Sequence, residues 1–135
     1  MQSLAQHQKA PKVLVVDNAW HVRCTIEDLL AAEGYDVGSA EDGVAAVEAF
    51  GREKPDLVLM DLLMPRKDGI EACMEIRRMD EDARILFMTG LGHQATAREV
   101  ADAGGMGIVP KPVAAGKLRR AIATALGNGD GEGND

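Results

Sequence analysis

At 135 residues, 46% hydrophobic and 27% charged, the chain has the size and composition of one globular domain with a single core. Its formal net charge of −7 leaves no basic stripe to neutralise phosphates, so direct nucleic-acid binding is not expected. No apolar run approaches the ~20 residues that span a bilayer, and Met1 to Ala10 lack the apolar core of a signal peptide, so no membrane contact and a cytoplasmic address are expected.

Residues 1–11 are Gln-rich and aperiodic, and are read as a flexible tail. The first apolar run, Val13 to Val16, ends abruptly in Asp17-Asn18. A helical stripe of Val22, Ile26, Leu29 and Leu30 follows, stopped by Gly34. A weaker run, Tyr35 to Ala40, leads into Gly43, Ala46, Val47 and Phe50 at helical spacing. Pro55 then precedes the run Leu57 to Met60, which ends at Asp61. Gly69, Ala72, Cys73 and Ile76 form the next stripe, and Ile85 to Met88 ends in Thr89-Gly90. His93 to Ala103 is more polar, with the least convincing stripe. A weak run from Met106 to Val109 gives way to Pro110, Lys111 and Pro112. The last stripe is Leu118, Ala121, Ile122 and Ala125, after which residues 127–135 are glycine and acid, read as a second flexible tail. Cys24 and Cys73 sit in helical patterns without CxxC spacing, and the three histidines are scattered, so neither a zinc site nor a disulfide framework is indicated.

Continuous rather than alternating apolarity marks strands covered on both faces, the habit of parallel sheets. Five strands alternating with five helices over residues 12–126 give an α/β, doubly wound (βα)5 domain. Right-handed crossovers then place ligands at the carboxyl ends of the strands. All the tip residues therefore share one rim: Asp17 and Asn18 on the first strand, Asp61 on the third, Thr89 on the fourth and Lys111 on the fifth. Each has a bland reading alone, since an Asp after a strand is often a helix cap. Together they suit phosphoryl chemistry. Two carboxylates favour a hard cation such as Mg²⁺, one of them can accept a phosphoryl group as an acyl phosphate, and a lysine and a hydroxyl can hold its oxygens.

VLVVDN, LVLMDLLMPRKDGIE, FMTG and VPKP, in this order and spacing, resemble the receiver domain of bacterial two-component response regulators, over about Lys12 to Leu126. The resemblance implies a flavodoxin-like fold with strand order 2-1-3-4-5 and a single-domain, chemotaxis-regulator-like switch. It implies Asp61 as phosphoacceptor, supplied by a sensor histidine kinase or a histidine phosphotransfer protein. Asp17 and Asn18, with Asp61 and the Leu63 backbone carbonyl, match the Mg²⁺ site, Thr89 the switch hydroxyl and Lys111 the family lysine. Asp68-Gly69 matches the turn opening the third helix, and the Lys111-Pro112 bond is expected to be cis. A downstream protein would read the fourth helix, fifth strand and fifth helix, with the chain a monomer or a phosphorylation-dependent dimer. Such a protein catalyses its own phosphorylation and slow dephosphorylation without being a turnover enzyme.

The sequence departs from that pattern at four places. Asn18 stands where the family usually has a second acid, and at an effective dielectric of ~20 a missing charge beside a cation is worth on the order of a few kcal/mol. Ile108 stands where many members carry an aromatic residue or His, Leu63 and Leu91 offer no hydrogen bond to a hydrolytic water, and Pro110 lacks an N–H. Slow metal-dependent phosphorylation and a long-lived phosphoryl group are expected. The alternative is a degenerate receiver, a phosphorylation-independent binding module. A dehalogenase-like phosphatase would want a second Asp where Ala19 stands, and a flavodoxin-type cofactor protein would not gather carboxylates at a phosphate site.

Overall fold

Each apolar run becomes a strand and each amphipathic stretch a helix. The structure, a computed structural model, describes residues 10–62, 64, 68–90, 97–111 and 114–127. In chain order the elements are β1 (Lys12–Val16), α1 (Trp20–Ala32), β2 (Asp36–Ala40), α2 (Gly43–Glu53), β3 (Leu57–Asp61), α3 (Gly69–Met79), β4 (Ile85–Thr89), α4 (Ala97–Ala103), β5 (Gly107–Pro110) and α5 (Ala115–Ala125). The strands pair in parallel as one sheet in the order β2-β1-β3-β4-β5. This is the doubly wound receiver architecture expected from the sequence.

The runs are continuously apolar because successive residues enter two different cores. Leu14, Val16, Val58, Met60, Ile85 and Phe87 pack with α2, α3 and α4 on one face of the sheet. Val13, Val15, Leu57, Leu59, Leu86 and Met88 pack with α1 and α5 on the other. The stripe Gly69, Ala72, Cys73 and Ile76 is buried throughout, as its spacing requires. In α2 the buried face is rotated toward Ala49, leaving Val47 half-buried. Tyr35 falls just outside β2, an edge strand whose residues are largely half-exposed. At the other edge, β5 extends through Pro110. An edge position tolerates the missing N–H, and Lys111 N resumes the pairing, 2.8 Å from Thr89 O.

Local chemistry explains the boundaries near the rim. Asp42 and Asp68 cap α2 and α3, each accepting a backbone N–H three residues on, at 2.8 and 2.9 Å. Gly34 ends α1 with φ 94°, its N–H donating to Ala31 O at 3.0 Å. Gly69 is required by crowding rather than by φ. A Cβ there would lie 2.6 Å from Asp61 O and 2.9 Å from Leu62 Cα, so the start of α3 packs directly on the backbone that presents Asp61.

Candidate functional site

The register of the sheet assembles the rim. Val16 is opposite Met60, Asp61 opposite Met88, and Thr89 opposite Pro110. Asp17 and Asp61 are thus the residues that leave two adjacent central strands, and Lys111 follows the strand two places away. Asp17 is completely buried and Asp61 is 6% exposed, unusual for carboxylates unless paired. The pairing comes from Lys111, whose Nζ lies 2.5 Å from Asp17 Oδ2 and 3.1 Å from Asp61 Oδ2. One ammonium answers two carboxylates within this trio.

Burial alone would lower the Lys111 pKa. The hydrogen bonds and the attraction of Asp17 and Asp61 outweigh it and hold the ammonium above the usual lysine range. Lys111 is therefore charged at neutral pH and acts as a fixed cation, as a phosphoryl oxygen would require. Thr89 is half-buried, and its Oγ1 is turned to Gly90 O at a long 3.5 Å. Asn18 is exposed, and its side chain has no hydrogen bond among the described residues. Leu63, Leu91 and the Lys111-Pro112 bond lie outside the described residues.

Two contributors were not read from the sequence. Asp17 N donates to Ala40 O at 3.2 Å, tying the tip of β1 to the end of β2. Arg23, in the first turn of α1, donates from Nη1 to Asp17 O at 2.8 Å. The only signal for the second was a cation placed where the helix dipole disfavours one. Trp20 is the first residue of α1 and is 69% exposed.

The donor set fits Mg²⁺ in kind. Two hard carboxylates already converge on one cation, the Lys111 ammonium. Among the described residues no group of three His, Cys, Asp or Glu side chains could hold a metal by itself. A Mg²⁺ ion would therefore complete its shell with the Asn18 amide, a backbone carbonyl, water or ligand oxygens. Cys73 is no competing nucleophile: burial pushes its thiol up to about 11, Arg77 offsetting only part, and its Sγ is bonded to Ala103 O at 3.2 Å.

Comparison with known proteins decides the family. Residues 13–123 match the response regulator receiver domain. The chain belongs to the response regulator receiver domain family. It is 38% identical to the chemotaxis protein CheY of Bacillus subtilis over 118 residues, covering 87% of this chain and 98% of that one. It is 32% identical to the sporulation initiation phosphotransferase F of the same organism over 111 residues, covering 82% of this chain and 90% of that one. A crystal structure of a receiver domain protein from Clostridium thermocellum superposes with a TM-score of 0.81 at 27% identity, covering 87% of this receiver and 94% of that chain. The protein is thus a receiver domain of two-component signalling. No helix among the described residues is long and apolar enough to cross a membrane.

Proposed function

We propose that this receiver is a phosphorylation-operated switch that accepts a phosphoryl group on Asp61. The observation that carries the reading is the trio of Asp17, Asp61 and Lys111, in which two nearly buried carboxylates share one ammonium at the carboxyl rim of the sheet. The donor is a sensor histidine kinase or a histidine phosphotransfer protein. A carboxylate oxygen of Asp61 bonds to phosphorus as the donor's P–N bond breaks, the imidazole nitrogen keeping the electron pair. Asp17, Asp61, Asn18 and the Leu63 carbonyl would hold Mg²⁺, which when bound offsets charge on the transferring oxygens. Lys111 exchanges part of its carboxylate pairing for a phosphoryl oxygen, and the Thr89 hydroxyl leaves Gly90 O to donate to another. The protein turns over no separate substrate.

The added charge, about −2, shifts the arrangement of the rim and of the surface behind it. That surface includes a groove of about 530 Å³ lined by Leu86, Met106, Ile108, Val109, Lys117 and Arg120 among others, where a downstream protein target would dock. Ile108 packs against the core in place of an aromatic swing residue, so its part in the relay is muted. A phosphorelay role, passing the group on to another protein, uses the same site.

One observation favours a second reading. Asn18 is neutral and exposed, so a phosphorylation-independent binding module with a weakened metal site would look the same at rest. Incubation with acetyl phosphate and Mg²⁺ separates the two. A single acid-labile phosphate adduct by intact-mass spectrometry, absent in Asp61→Asn, supports the switch. No adduct supports the module.

A further inference from the structure

Arg23 has no role in the phosphoacceptor chemistry above, and its place in α1 is not one that the helix dipole favours for a cation. It is the fourth residue of a helix with no side-chain cap and no acid in its first turn, where the macrodipole disfavours a cation. Its guanidinium reaches back six residues and donates to Asp17 O at 2.8 Å. Asp17 is held at every polar atom: N by Ala40 O, Oδ1 by the Ala19 N–H at 2.9 Å, Oδ2 by Lys111, and O by Arg23. The first is sheet pairing, the second a local turn, and the third belongs to the site. Among the described residues, Arg23 is the one side chain outside the site that grips this residue.

We propose that Arg23 is a positioning residue for Asp17. By clamping the carbonyl where β1 ends, it fixes the peptide plane between Asp17 and Asn18. It thereby fixes the direction in which the Asp17 carboxylate faces Lys111 and Asp61. With Asn18 neutral, Asp17 is the only carboxylate at this tip, and its aim sets the charge that β1 offers a cation. The bond is charge-assisted, hence among the stronger kind, and partly buried, hence less screened. The metal part of this inference rests on the proposed function, whereas the clamp itself does not.

Two measurements on Arg23→Gln and Arg23→Lys decide it. The Ala19 amide, bonded to Asp17 Oδ1, reports the clamp without any metal. Its hydrogen exchange by NMR should accelerate about tenfold in Arg23→Gln, as for loss of a charge-assisted bond, and recover in Arg23→Lys. The amides of Gly34 and Tyr35, at the far end of α1, should stay unchanged. Half-saturation by Mg²⁺, read by titration calorimetry, should rise about threefold or more in Arg23→Gln and recover in Arg23→Lys. Unchanged Ala19 exchange, or acceleration along all of α1, would overturn the clamp, the latter meaning mere helix stabilisation. Tighter Mg²⁺ binding in Arg23→Gln would also overturn it, because Arg23 would then act only as a repelling charge. If the unaltered protein itself binds no Mg²⁺, the functional reading fails while Ala19 exchange still decides on Arg23.

Discussion

Asn18 stands one peptide bond from a wholly buried carboxylate, yet is itself exposed. Its exposure limits what charge there can add, since solvent screens an interaction that would be worth several kcal/mol in a buried setting. Asn18→Asp should therefore tighten Mg²⁺ binding by about tenfold, near 1.4 kcal/mol, rather than by the full Coulomb value. Mg²⁺ titration followed by the emission of Trp20, the only tryptophan, measures it; unchanged affinity would place residue 18 outside the cation's reach. Lys111 sets a second expectation. Its pKa is raised in the folded state, so its contribution to stability is complete below about 10.4 and is lost as pH climbs through the folded value. The stability lost in Lys111→Met, about 1–3 kcal/mol, should be constant between about pH 7 and 9 and shrink in stronger alkali. Denaturant unfolding across that series checks it, and a gap that already closes by about pH 9 would contradict it. Asp17, Asp61 and Lys111 were legible as a converging set because strand ends in a parallel sheet share one rim. The exposure of Asn18 and the grip of Arg23 were not legible, because both depend on the path of the chain between β1 and α1.

Among the elements, α3 starts directly against the site. Gly69 lets its first turn touch the backbone of Asp61 and Leu62, and Asp68 caps it. A methyl at residue 69 meets backbone, which cannot give way cheaply, so Gly69→Ala should cost about 1–3 kcal/mol by overpacking. It should also slow phosphorylation by displacing Asp61, whereas Gly90→Ala, whose added Cβ meets nothing within 4 Å, should not destabilise comparably. Thermal unfolding of the two variants compares them directly, and equal stability would show that α3 can shift without cost. Strands β1, β3 and β4 were readable from continuous apolarity, since both faces are covered. The edges were read less well. Tyr35 drops out of β2 and Pro110 joins β5 because edge strands answer to one neighbour and to solvent rather than to two cores. The shift from Val47 to Ala49 in α2 has another origin: periodicity gives a face to within one residue and packing chooses within it.

At the scale of the whole receiver, the sheet order puts Asp61, the proposed phosphoacceptor, on the central strand and Lys111 beyond the edge strand. Asp61 is thereby joined through one ammonium to the end of β5. Family and fold follow from the sequence match and the topology, and the switch itself is the claim that chemistry must test. The most direct measurement is intact-mass spectrometry after incubation with acetyl phosphate, with and without Mg²⁺, on the unaltered protein and on Asp61→Asn. The account predicts one acid-labile phosphate per chain that requires Mg²⁺ and vanishes in Asp61→Asn. No adduct at saturating Mg²⁺, or an adduct that survives in Asp61→Asn, would contradict it.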